Sequence, residues 1–180
     1  MIFLINTIRV FFNDHPVYPS VSVYFQGCDA IPKCVGCHNP ETWDFDEKFA
    51  INYDEILSIS VEKLSFLLNG FSKVALAFVG GEPLSERNRE CVKLLSRDVK
   101  KIFGSKVLTI LYTWREPIDL LPLKDYIQSI DEFVLGRFEI SLKEDGFPAS
   151  KNQMYLRKEQ LEEFFMTFEG GKAYVLEVFK

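Results

Sequence analysis

Six apolar residues, Val74-Ala75-Leu76-Ala77-Phe78-Val79, run without interruption into Gly80-Gly81-Glu82-Pro83. A half-exposed strand alternates polar and apolar positions. A strand-length run with no polar position needs cover on both faces, the condition met inside a parallel sheet. Other segments repeat the theme. Val21-Ser22-Val23-Tyr24-Phe25 reads as a strand ending at Gly27, Lys106 to Thr113 as another, and Phe133-Val134-Leu135 as a further buried one. Residues 2–12, rich in Ile, Val and Phe, suit a strand or hairpin arm. Leu57, Val61, Leu64 and Leu68 recur at helical spacing within residues 52–69, with Asn69-Gly70 as the stop. Glu86 to Phe103 reads as a second helix, with Val92, Leu95, Val99 and Ile102 on one face and Gly104 at its end. Shorter helices are predicted across Leu120–Ile127 and near 158–168, and a last strand over Ala173–Phe179. Strands alternating with helices predict an α/β fold of parallel βαβ units. At 180 residues, one domain spanning 1–180, with its core about 20–157 and a short helix and strand as a tail, is the simplest organisation.

The chemistry concentrates in Gly27-Cys28-Asp29-Ala30-Ile31-Pro32-Lys33-Cys34-Val35-Gly36-Cys37-His38-Asn39, which holds three of the four cysteines. Three thiolates on one loop suit a metal centre. A structural zinc site closes four ligands around the ion. The candidates for a fourth are His38, which is adjacent to Cys37 and awkwardly placed for joint ligation, His15, and the distant Cys91, which falls on the apolar face of its helix as a buried thiol would. A disulfide pair would call for an exported chain. The leading reading is therefore a site-differentiated [4Fe-4S] cluster, with three irons on Cys28, Cys34 and Cys37 and a fourth left open to the amino nitrogen and carboxylate oxygen of a small molecule.

In parallel α/β folds the loops at the carboxyl ends of strands carry the site. The cysteine loop and Gly80-Gly81-Glu82-Pro83 both fit that position. Paired glycines let a ligand approach the backbone, and Pro83 biases Glu82 towards an extended conformation that aims its carboxylate or backbone outward.

Composition narrows the classes. Apolar residues are 47% and charged residues 26%, which is ordinary globular usage. The net charge of −5, with no basic block, lacks the electrostatic footprint of nucleic-acid binding. No apolar run approaches the ~20 residues of a membrane helix. The amino terminus has no basic region followed by a cleavage site, so the expected compartment is the reducing cytoplasm. His15, in a loop before Pro16, reads as a solvated or capping residue, Trp43 and Trp114 as core or rim packing, and Glu159, Glu162 and Glu163 as a solvated helix face.

The cysteine loop together with Gly80-Gly81-Glu82-Pro83 resembles the radical S-adenosylmethionine enzymes. The closer resemblance is to the small activating proteins of anaerobic (class III) ribonucleotide reductases. It includes Gly36-Cys37-His38-Asn39 with Thr42-Trp43, Leu84 followed by Arg87-Asn88-Arg89-Glu90, Leu111-Tyr112-Thr113, Gly136-Arg137-Phe138-Glu139 and Ser150-Lys151-Asn152-Gln153. The resemblance implies a partial (βα) barrel, cofactors that are a [4Fe-4S] cluster and S-adenosyl-L-methionine, and a flavodoxin- or ferredoxin-type electron donor. It implies that a reduced cluster cleaves S-adenosylmethionine to methionine and a 5′-deoxyadenosyl radical. That radical takes a hydrogen atom from a glycine of a large partner enzyme, the anaerobic reductase, leaving a glycyl radical. Carried over by position, Cys28, Cys34 and Cys37 ligate the cluster, and Gly36 and His38 flank the last ligand near the adenine. Gly80, Gly81 and Glu82 bind the methionyl amino group, and Thr113 touches the cofactor.

This chain departs from the pattern in placing five residues, Asp29 to Lys33, between the first two cysteines, where three are usual. It also has His15-Pro16-Val17-Tyr18-Pro19 where glycines are common, Trp114 where a glycine often follows the threonine, and Met154 where an arginine often follows the glutamine. Two other functions fit the same residues: a compact radical enzyme acting on a small metabolite, as in deazapurine synthesis, and a zinc-stabilised interaction module.

Overall fold

Seven strands make one sheet in the computed structural model, which describes residues 1–169. In chain order they are β1 (Ile2–Phe11), β2 (Ser20–Phe25), β3 (Ala50–Asn52), β4 (Val74–Gly80), β5 (Val107–Thr113), β6 (Glu132–Leu135) and β7 (Met154–Arg157). Their order across the sheet is β3-β1-β2-β4-β5-β6-β7. The centre, β2-β4-β5-β6, is parallel, as the apolar runs predict. The flanks are antiparallel: β1 pairs with β2 and β3, and β7 with β6. The sheet is open, with β3 and β7 as its edges. The fold is therefore mixed α/β with a mostly parallel centre.

The helices are α1 (Tyr53–Leu68), α2 (Arg89–Phe103), α3 (Lys124–Ile127) and α4 (Lys158–Glu169). All contribute to one core. Leu64 of α1, Val92 and Leu95 of α2, Ile127 of α3 and Leu161 and Phe165 of α4 join Val23, Phe25, Leu76, Phe78 and Phe133 of the strands. Among the described residues, the other face of the sheet carries a smaller cluster with no helical residue. It consists of Tyr24, Ala77, Val79, Ile110 and Val134, packed by Tyr112, Phe147 and Tyr155. Alternation along β2 explains the split, since Val21, Val23 and Phe25 point one way and Tyr24 the other.

Several details differ from the expectations. The buried stripe of α1 is Ile56, Ser60, Leu64 and Leu67, one residue out of step with Leu57, Val61 and Leu68. On α2 the inward set includes Cys91 and Leu94, while Ile102 is half exposed. This helix starts at Arg89 rather than Glu86, because Asn88 turns inward. Its side chain donates to the Gln26 carbonyl (3.0 Å) and accepts from the Leu4 amide (3.2 Å). Leu120–Ile127 is the end of a 3-10 turn over Pro117–Leu123 followed by the short α3. β3 and β7 went unpredicted, and the expected strand Ala173–Phe179 lies outside the described residues. Cys91 is fully buried, and Glu159, Glu162 and Glu163 are exposed, both as read from the sequence.

At the amino end of the parallel strands lies a buried polar group. His15 is buried rather than solvated, and its ring caps the turn that follows, the other half of the expectation. Its Nδ1 accepts the amides of Val17 (3.1 Å) and Tyr18 (3.0 Å), which leaves the proton on Nε2, 2.8 Å from Glu132 Oε2. The Tyr155 hydroxyl also bonds Glu132. Nearby, Tyr24 donates to Asp14 Oδ2 (2.9 Å) and Tyr112 to the Asp14 carbonyl (2.8 Å). Among the described residues no helix is long and apolar enough to cross a membrane.

Candidate functional site

The parallel register sets the geometry of the opposite end. Phe25 of β2 is level with Gly80 of β4, and Thr113 of β5 with Leu135 of β6. The cysteine loop and the Gly80-Gly81 turn therefore leave the sheet side by side. They are stitched together by the Gly81 amide on the Phe25 carbonyl (3.0 Å) and the Glu82 amide on the Gly27 carbonyl (2.8 Å). The Gly27 and Cys28 amides bond the carbonyls of Thr42 (2.8 Å) and Trp43 (2.9 Å), closing the loop's far side.

The glycines are required by the neighbouring strand. Gly80 has φ +84°, and a Cβ there would stand 2.8 Å from the Phe25 nitrogen. At Gly81 a Cβ would stand 2.3 Å from the Gly27 carbonyl oxygen. Backbone cannot yield as a flexible side chain can, so any side chain would force the two loops apart.

Between the loops opens a pocket of about 110 Å³, bounded by Cys28, Cys34 and Cys37 on one side and by Gly80, Gly81 and Thr113 on the other. Trp43, Tyr112, Trp114, Gly136, Phe138 and Gln153 complete its wall. Those last residues come from segments distant in sequence. Gln153 donates to the Gly136 carbonyl (3.2 Å) and Asn152 to that of Arg137 (2.8 Å), so the later segment clamps the loop after β6.

All four cysteines are free thiols. Burial raises the Cys28 thiol above its ordinary value, as it does Cys34. Burial likewise pushes Cys91 upward, far from the pocket. Among the described residues, no three His, Cys, Asp or Glu side chains gather tightly enough for one metal ion. Among the described residues, the pocket wall holds three thiols and no carboxylate or imidazole. That donor set suits a group of several metal atoms, each taking one thiolate, better than a closed zinc tetrahedron.

Not every predicted site residue reaches the pocket. Gly36 lies in the exposed turn that the Cys37 amide closes on the Cys34 carbonyl (3.3 Å). His38 is exposed, with its ring 4.3 Å from that of Phe138. Glu82 does not aim its carboxylate outward. It is fully buried, because donors surround it: the Thr113 hydroxyl (2.8 and 2.9 Å to its two oxygens), the Leu84 amide (2.9 Å) and the Trp114 amide (3.2 Å). Arg115 Nη1 lies 2.9 Å from Oε1 as an ion pair without hydrogen-bond alignment. Burial raises the Glu82 carboxyl from 4.5 to about 7, against the pull of Arg115 and these donors. Tyr112, Gly136, Phe138 and Gln153 were not picked out as site residues. The available signal was the order of the segments Leu111–Thr113, Gly136–Glu139 and Ser150–Gln153, whose convergence only the sheet reveals.

Residues 19–156 match the family described as a 4Fe-4S single cluster domain. An anaerobic ribonucleoside-triphosphate reductase-activating protein of Enterobacteria phage T4 is 29% identical over 123 residues, covering 68% of this chain and 72% of the relative.

Proposed function

We propose, from the premise that this chain belongs to the 4Fe-4S single cluster domain family, that it is a radical S-adenosylmethionine activase whose partner is an anaerobic ribonucleotide reductase. The observation that carries this reading is the shared pocket of three thiols and the Gly80-Gly81 turn at the carboxyl ends of neighbouring parallel strands. The named activity of the phage relative supports the choice of partner. The helix-covered, open sheet is compatible with a partial barrel whose concave side is the helix-free face.

In this reading Cys28, Cys34 and Cys37 hold the cluster. When bound, it supplies the electron for reductive cleavage of S-adenosylmethionine. The chain's own residues then do the remaining work. The backbone of Gly80 and Gly81 receives the methionyl amino end, since no side chain intervenes there. Thr113, on the pocket wall, bonds the buried Glu82 carboxylate, so Glu82 acts on that end only indirectly. Trp43, Trp114 and Phe138 exclude water from the pocket walls.

A protein substrate suits the shape better than a small metabolite. The helix-free face is filled by Tyr24, Tyr112, Phe147 and Tyr155, leaving the mouth at the cysteine loop as the approach. Ile31, Val35 and Ile140 are exposed there, as apolar residues awaiting a partner would be.

The test is anaerobic. Reconstituted, reduced protein mixed with S-adenosylmethionine should release 5′-deoxyadenosine and methionine in equal amounts. An iron-loaded protein that leaves the cofactor intact under these conditions would refute the radical chemistry.

A further inference from the structure

Asp29 opens the five-residue stretch between Cys28 and Cys34, and its carboxylate is held from the end of β5. Trp114 Nε1 donates to Oδ1 (2.9 Å) and Arg115 Nη2 to Oδ2 (2.7 Å). The same guanidinium sets Nη1 2.9 Å from Glu82 Oε1, on the loop after β4. One side chain thus bridges carboxylates on the two loops that bound the pocket, and its own exposure is only 12%. The indole between them is flanked by two cations, Arg115 at 4.7 Å and Arg137 at 4.8 Å from the ring. Arg137 in turn donates to the carbonyls of Ile31 and Pro32, fixing the far end of the same stretch.

We infer that Arg115 is a positioning residue that couples the cysteine loop to the Gly80-Gly81 turn, so that the spacing between cluster and cofactor is set by one guanidinium bridging Asp29 and Glu82. The assignment rests on the proposed function for what the two loops hold, while the bridge itself is a property of the chain. A planar fork can serve two carboxylates at once, whereas an ammonium is a point charge on a flexible stem. Lysine at 115 is therefore expected to satisfy one loop and release the other.

The experiment is hydrogen exchange on the cluster-loaded protein, following the amides of residues 28–37 and 81–84 separately, with iron content measured on each sample. Asp29→Asn should speed exchange in 81–84 as well as in its own loop, and Glu82→Gln should do the reverse. Each cross-effect is expected to be roughly 10- to 100-fold, the scale of one charged hydrogen bond. In an Arg115→Gln background, adding Asp29→Asn should change nothing further in 81–84. Arg115→Lys should lose the cross-effect while keeping its iron, which covers the case in which the glutamine variant fails to fold. Effects confined to the mutated loop, additivity in the Arg115→Gln background, or full rescue by lysine would each overturn the bridge. The dissociation constant for S-adenosylmethionine should rise by the same factor in Asp29→Asn, and no change in it would break the link to the cofactor. Cross-effects in a protein that does not cleave S-adenosylmethionine would sink the proposed function and leave the coupling standing.

Discussion

The two ends of the parallel strands each bury a carboxylate, and they treat it in opposite ways. At the amino end Glu132 meets His15 at 2.8 Å and the Tyr155 hydroxyl. Burial pushes its carboxyl up, but these hydrogen bonds outweigh burial and hold it below the ordinary value. At the carboxyl end Glu82 has three hydrogen-bond donors and the ion-paired Arg115, yet burial wins and raises it to about 7. The amino end closes on itself, while the carboxyl end leaves three thiols and two glycines facing a pocket. The first end is closed and the second is open to a ligand, and substitutions should separate them.

The largest effect should come from the thiols. Cys28→Ala, Cys34→Ala or Cys37→Ala should abolish cluster uptake, read as iron and sulfide per chain after anaerobic reconstitution, whereas Cys91→Ala should retain it. Equal loss on replacing Cys91 would contradict the assignment of the three ligands.

The amino end should respond in stability alone. His15→Ala removes the hydrogen-bond partner of a buried carboxylate and should cost roughly 1.5–3 kcal/mol in chemical denaturation. Iron content of the folded protein should stay unchanged. A drop in iron at full stability would erase the distinction between the ends.

Gly81→Ala joins the two readouts. Its Cβ would collide with the Gly27 carbonyl, next to Cys28. A loss of about 1–3 kcal/mol, typical of overpacking, should be accompanied by reduced iron uptake, because the cysteine loop must move. The sequence suggests a milder outcome, in which a side chain at 81 only blocks the cofactor. The structure adds a displaced backbone to that expectation.

That difference marks where the sequence stops being legible. Val74–Val79 and the spacing of Cys28, Cys34 and Cys37 carry their meaning locally, through periodicity and donor chemistry, and they located the sheet centre and the pocket. The partner of His15 is 117 residues away, so a histidine before a proline looked solvated. β7 has only four residues and pairs antiparallel with β6, too short a stretch for alternation to register. Pro83 constrains the backbone of Glu82, but the direction of its carboxylate depends on Thr113 at the end of β5 and Arg115 just beyond it. Ile102 kept the helical period yet lies half exposed, while the next residue, Phe103, packs on the core.

The smallest effect is a pH slope. The folded protein holds the Glu82 proton up to about 7, while the unfolded chain releases it near 4.5. Between those values the folded state binds more protons, so this group's contribution to stability falls as pH rises and levels off above 7. Glu132 has the opposite sign, since its depressed carboxyl loses stability as pH falls through the folded value. Denaturant midpoints of the cluster-free protein should therefore lose their decline between about pH 4.5 and 7 in Glu82→Gln. In Glu132→Gln they should lose their acid-side decline. The same profile in both variants would mean the two ends are not electrostatically distinct.

The central claim is that the pocket at the carboxyl end makes a radical for a protein partner. The direct measurement mixes reduced, iron-loaded protein with S-adenosylmethionine and an anaerobic ribonucleotide reductase deuterated at its glycines. Electron paramagnetic resonance should then record a glycyl radical on the reductase, and deuterium should appear in 5′-deoxyadenosine. Cofactor cleavage without label transfer or a radical on the reductase would contradict the account and favour a small-metabolite substrate.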